Sequence, residues 1–226
     1  MKANEFIFEN NEENIKNYYD LPAEDVILGN KLKTYCMDYI NEVGIDNIFD
    51  DTNNLFRGVT SEHRPVIVKN VRLTNRKTLD TPNDLHNALN SFFTDKFGEP
   101  FRNGLFAVND RRAANEYVNG GAGGYVYIIF PFNDYKFVWS PEINDMWIAF
   151  KQFRSLYTDE YDDDLIKWFI EYLDSEGNYT NTNLRAAISS SNEIMFRCDQ
   201  YIGINFNNPL LASQRRMEGI QEIIKS

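Results

Sequence analysis

Apolar residues recur at helical spacing from residue 22 to residue 43: Val26, Ile27, Leu28, Leu32, Tyr35, Cys36, Tyr39 and Ile40. Pro22 stands where a helix opens and Gly44 just past its end, so the pattern predicts one helix. The period then changes. Residues 55–59 and 66–73 alternate or run apolar and predict strands. Helical spacing returns at Leu85, Ala88, Leu89, Phe92 and Phe93, behind Thr81 as a cap and Pro82 at the first position, and stops at Lys96-Phe97-Gly98. A short strand at 105–108 leads into a helix at 110–117. The runs 125–131 and 135–139 are rich in Tyr, Val, Ile and Phe and predict strands. Residues 159–173 read as a helix with Leu165, Ile166, Phe169, Ile170 and Leu173 inward. A short helix falls within 181–190, and Pro209 precedes an amphipathic tail helix reaching about Ile224.

One strand opens differently. In Ser191-Asn192-Glu193-Ile194-Met195-Phe196-Arg197-Cys198-Asp199 a polar turn delivers a glutamate to the first strand position. Alternation puts Ile194, Phe196 and Cys198 on one side and Met195, Arg197 and Asp199 on the other. Glu is rarely buried without a partner, so a carboxylate at a strand mouth is either solvated or chemical. Two upstream segments weigh on that choice: Leu55-Phe56-Arg57-Gly58-Val59, and Asn103-Gly104-Leu105-Phe106-Ala107-Val108 followed by a helix to Tyr117.

In order and spacing, these three pieces resemble the ADP-ribosyltransferase fold, including its poly-ADP-ribose polymerase branch and phage and bacterial relatives. In that family a first strand ends His-Gly or Arg-Gly. A second reads Gly-Ile-Tyr-Phe-Ala and leads into a helix ending Ser-Ala-Asn-Tyr, and a late strand opens Asn-Glu. Phe106 stands at the first of those tyrosines and Tyr117 at the second. The resemblance covers roughly residues 55–206. It implies an α+β fold: a split, twisted, mostly antiparallel sheet with flanking helices and NAD in the cleft between its halves. Residues 1–54 then form an acidic arm and helical segment, and 207–226 a helical tail.

The resemblance also assigns roles. Glu193 is the catalytic carboxylate, set against the nicotinamide ribose, where it stabilises positive charge at C1′. Arg57 contacts the adenosine ribose or a phosphate, the Gly58 backbone pairs with the nicotinamide amide, and Phe106 and Tyr117 sandwich the ring. NAD is the substrate and no metal is required. The implied function is ADP-ribosyl transfer to a macromolecular acceptor, a host protein if the chain is phage-encoded. Two departures matter. Phe106 cannot donate the hydrogen bond of a tyrosine, and Ser191 replaces the Glu or Gln of the toxin-like branches, so an arginine acceptor is not implied. These departures favour an alternative, a catalytically silent member of the fold built into a virion among other virion proteins. A third reading, an NAD glycohydrolase, shares the site and uses water.

Composition bounds these readings. The 226 residues include 17 Phe, 13 Tyr and 3 Trp and are 42% hydrophobic, enough for a packed core. A net charge of −11 argues against a general nucleic-acid binder, whose phosphate contacts need Lys and Arg. Two cysteines and two histidines suggest neither a disulfide scaffold nor a metal cluster. With no membrane-length apolar run and no secretory segment, the expected location is the cytoplasm, the host's if viral, or a virion.

Three further features have ordinary explanations. Gly120-Gly121-Ala122-Gly123-Gly124 lacks the Lys-Ser/Thr ending of a phosphate loop and reads as a hairpin turn. Arg72, Arg76 and Lys77 make a small basic patch. Glu142 and Asp145, after Ser140-Pro141, are placed to orient an acceptor, with Ser140 expected to cap a helix.

Overall fold

The chain is α+β, with two antiparallel sheets joined at one point. The computed structural model describes residues 21–60, 62–74, 81–119, 124–157 and 163–226. With elements numbered in chain order, the first sheet contains β1 (Phe56–Thr60), β4 (Gly124–Pro131), β7 (Gln200–Asn205) and β2 (Val66–Asn70), in the order β1-β4-β7-β2. The second contains β3 (Leu105–Ala107), β6 (Ile194–Arg197) and β5 (Lys136–Trp139), in the order β3-β6-β5. Every strand pair is antiparallel. The two sheets meet where Phe56 and Val108 exchange backbone hydrogen bonds of 2.7 and 3.1 Å.

Two hydrophobic cores follow from this split. The first packs α1 (Ala23–Tyr35), α2 (Met37–Val43), α7 (Leu184–Ser190) and α8 (Gln214–Lys225) on the first sheet, through Leu32, Ile40, Ile128, Ile202, Ile220 and their neighbours. Helices from the two ends of the chain thus share one core with residues 55–206, and Arg216 of α8 pairs with buried Asp25 of α1 at 2.7 Å. The second core packs α3 (Asn83–Phe97), α5 (Met146–Tyr157) and α6 (Asp163–Ser175) on the second sheet through Leu89, Phe93, Phe150, Phe169 and Met195. The remaining helix, α4 (Arg111–Asn119), lies on β1.

The helix expected over 22–43 is broken at Cys36. Asn133, in the β4–β5 turn, inserts there: its amide nitrogens donate to the carbonyls of Tyr35 (2.6 Å) and Thr34 (3.2 Å), and its Oδ1 accepts from Asp38 N (3.1 Å). A side chain inserted into the backbone ladder is a known cause of such a break. α5 is an element that the hydrophobic pattern did not reveal, and α6 covers the expected helix from residue 163 onward, residues 159–162 lying outside the described residues. β6 also differs: Met195, expected on the polar side, is buried in the second core, so this strand is covered on both faces. Residues 76, 77 and 120–123, from the basic patch and the glycine run, lie outside the described residues. Among the described residues no helix is long and apolar enough to cross a membrane, and no group of three His, Cys, Asp or Glu is placed to hold a metal.

Candidate functional site

Glu193 reaches its place through a rigid turn. Ser191 closes α7 in the left-handed conformation (φ 60°), and buried Asn192 donates to the carbonyls of Ser140 (2.8 Å) and Pro141 (3.2 Å). The backbone N–H of Glu193 then donates to the Asn144 carbonyl at 2.8 Å. The polar turn read from the sequence is therefore an anchor for the strand mouth.

The carboxylate is not solvated, as a strand-mouth position suggested. Its side chain is 10% exposed and its Oε1 accepts from Arg102 Nη1 at 2.9 Å, the arginine itself being 8% exposed. Arg102 lies in a single 3₁₀ turn, Phe101–Asn103, immediately before β3. Register explains the meeting. Phe106 pairs with Met195 and Ala107 with Ile194, so Phe106, Met195 and Glu193 share one face of the second sheet. The guanidinium lies across that face, 4.6 Å from the centre of the Phe106 ring and 3.7 Å from Met195 Sδ. Its Nε–H is buried with no hydrogen-bond partner. Such a cation is retained at a cost in desolvation, which the carboxylate and the ring face offset only while all three stay together.

The turn that carries Arg102 is itself braced. Buried His86 of α3 places Nε2 3.0 Å from Asn103 Oδ1 and 3.0 Å from Asn90 Nδ2.

Tyr117 completes the cluster from the other side. The residue is 56% exposed, so it does not simply close α4 on the core. Its hydroxyl donates to Asp145 Oδ2 at 2.9 Å. Loss of water around the phenol, and then the charges of Glu193 and Asp145, push its pKa well above the ordinary tyrosine value. Buried Tyr179 is raised in the same way, first by burial and next by Glu193. The other oxygen of Asp145 accepts from Ile148 N (2.8 Å) and caps α5. The capping expected of Ser140 therefore falls to Asp145, while Ser140 Oγ holds the turn before it by accepting from Glu142 N and Ile143 N.

Gly58 lies beneath Tyr117. A Cβ added there would sit 2.4 Å from the Ala114 carbonyl oxygen and 3.2 Å from Tyr117 Cβ, so a glycine is what lets α4 approach β1. Arg57 is half-buried, and its Nη1 donates to the Phe106 carbonyl at 2.7 Å, linking the two sheets beside their junction. It also lies close enough to Tyr201 to lower that phenol's otherwise raised pKa. The structure thus brings Gly58, Phe106, Tyr117 and Glu193 to one side of the sheet junction, and ties Arg57 to it through main chain.

Sequence reasoning missed Arg102 and Tyr179 and undervalued Asp145. The one signal for Arg102 was its position directly before the Gly104-Leu105-Phe106 strand. With the geometry described, comparison adds nothing: no family model, no curated protein and no solved structure matches this chain.

Proposed function

We propose that the chain is an ADP-ribosyltransferase-type protein that transfers ADP-ribose from NAD to a protein acceptor. The observation that carries this reading is the convergence of three sequence-distant pieces. Arg57-Gly58 in β1, Phe106 in β3 and Glu193 directly before β6 come from two sheets, yet Arg57 bonds the Phe106 carbonyl, and Phe106 and Glu193 share Arg102. A split antiparallel pair of sheets with those residues at the junction agrees with the architecture that the resemblance implies.

In this reading Glu193 supplies the negative charge that stabilises an oxocarbenium-like ribose, and no nucleophile or metal is needed. Phe106 and Tyr117 are the rings that this reading sets against the nicotinamide. Arg102 covers the Phe106 ring, so a stacked nicotinamide must displace the guanidinium or use the other face. Arg102 also sets the orientation of the carboxylate. Such control of geometry is what a dissociative reaction rewards.

One observation favours the second reading, a catalytically silent protein carried in a virion: Glu193 is nearly buried and its charge is already matched by Arg102. Incubation with NAD labelled in the ADP-ribose moiety decides. The transferase reading expects nicotinamide release with label on protein; release without labelled protein points to a glycohydrolase, and no release in the presence of host extract overturns the enzyme readings.

A further inference from the structure

The geometry points to the groove along α5 as the docking site for the acceptor protein, through a segment of that protein carrying both apolar and cationic side chains. The inference rests on the transferase reading for the word acceptor, but the groove and its chemistry stand apart from it.

The groove has a volume of about 270 Å³, and its apolar wall is formed by Ile148, Phe153, Leu156, Tyr157 and Tyr172. Three of these are unusually open for α5, a helix that otherwise buries Met146, Phe150 and Phe153: Ile148 is 49% exposed, Leu156 81% and Tyr157 62%. Spacing of one and two helical turns puts Ile148, Gln152 and Leu156 in one stripe. A single exposed leucine needs no explanation, whereas a stripe along a groove marks a contact surface.

Charge selects the occupant. Among the described residues, the two charged groups lining the groove, Glu142 and Asp145, are both carboxylates, and the chain as a whole carries −11. α5 carries two basic residues, Lys151, whose Nζ lies 5.5 Å from the centre of the Trp147 ring, and Arg154, and neither lines the groove. A cationic segment is therefore attracted and an acidic one repelled.

Position gives the groove its purpose. Its acidic end is Asp145, whose Oδ2 receives the Tyr117 hydroxyl and whose charge is felt by the same phenol as that of Glu193. A segment lying on Ile148 and Leu156 with a Lys or Arg at Asp145 would be delivered to the mouth of the candidate site. Docking energy gained away from the chemistry serves there to place the reacting group.

The test uses the full chain and three fluorescein-labelled twelve-residue peptides: one of alternating Leu and Lys, one with Glu replacing Lys, one with Ser replacing Leu. The expected result is that only the Leu/Lys peptide binds measurably. The double variant Ile148→Asp/Leu156→Asp weakens that binding at least about tenfold, the scale of losing leucine-sized contacts. Val68→Asp, on the exposed edge strand β2 of the other sheet, leaves it within about twofold. The direction is decisive. If the peptide were held only by general attraction to an acidic protein, two added aspartates would tighten binding. Equal or tighter binding by the double variant overturns the inference, as does equal binding of the Ser peptide or preferred binding of the Glu peptide. Both substitutions are at exposed positions, and an unchanged melting temperature confirms the fold. Nicotinamide release measured in parallel separates the two ideas. Its absence in the parent removes the transferase reading while groove binding is still read directly. Its persistence in the double variant, with peptide binding lost, is the outcome expected if both hold.

Discussion

Arg102 Nη1 and Glu193 Oε1 lie 2.9 Å apart across 91 residues of sequence, and both side chains are nine-tenths buried or nearly so. Breaking such a pair from one side leaves an uncompensated charge inside the protein, which costs about 3–5 kcal/mol. Arg102→Met is therefore expected to lower stability on that scale in urea unfolding. Arg102→Met/Glu193→Met, with both charges gone and volume kept, is expected to recover most of the loss. A loss below about 1 kcal/mol in the single variant would mean that water reaches the carboxylate and the pair is a surface contact.

Glu193→Gln separates chemistry from structure. Its amide keeps the shape but cannot stabilise a developing cation, so nicotinamide release is expected to fall by about 10²–10³ while NAD affinity changes little. Because the substitution leaves the buried Arg102 charge unmatched while keeping one hydrogen-bond acceptor, stability should fall as well, at most by the cost of breaking the pair, about 3–5 kcal/mol. Calorimetry with NAD and a thermal melt, done on the same sample, read the two effects separately. A large melting shift in a chain whose parent releases no nicotinamide would make Glu193 a structural residue.

Much of the architecture was legible, and the limits have physical causes. β1, β3, β4 and β6 announce themselves because alternation and β-favouring residues act locally. Glu193 stood out because a polar Ser-Asn turn before an apolar strand is a local pattern too. Arg102 did not, because one 3₁₀ turn has no periodicity and its partners lie 91 and 93 residues away. α5 was obscured by its own aromatics. Met146, Phe150 and Phe153 do have helical spacing and Asp145 stands as a cap, but exposed Ile148, Leu156 and Tyr157 blur the apolar face. Burial of Glu193 was likewise invisible, since the second core that covers its strand is built largely from α3, α5 and α6.

Gly58→Ala tests the close approach of α4 to β1. The added methyl would fall 2.4 Å from a backbone carbonyl oxygen and 2.8 Å from Val118 Cγ2, so the helix must shift and cannot merely repack a side chain. Overpacking of this kind costs about 1–3 kcal/mol. Tyr117 would move with the helix, and its bond to Asp145 would lengthen. The expected outcome is a lower melting temperature together with weaker NAD binding. A fully stable Gly58→Ala protein that still loses NAD affinity would instead assign Gly58 a direct part in the ligand site.

Alkaline pH should expose the cost of the buried phenols and thiols. Burial raises Tyr39 and Tyr179, and pushes the Cys198 thiol up to about 12. For Tyr39 burial comes first, with the Tyr135 and Cys36 groups adding to it. A folded pKa above the unfolded one means that full stability is kept below the unfolded value and lost as pH rises past it. For tyrosines that point is about pH 10, and for cysteines about 8.5. The unfolded chain releases protons there that the native chain holds, so each such group removes about 1.4 kcal/mol per pH unit. Urea midpoints are therefore expected to be level near neutrality, to start falling with the thiols above about pH 8.5, and to drop steeply beyond about pH 10. Tyr39→Phe keeps the edge-on packing against Phe130 (5.9 Å between ring centres) and removes one titrating group. Its decline should be shallower by one proton's worth, whatever its stability at neutral pH. Identical slopes for parent and variant would place the Tyr39 hydroxyl in contact with water and its pKa near that of the unfolded chain.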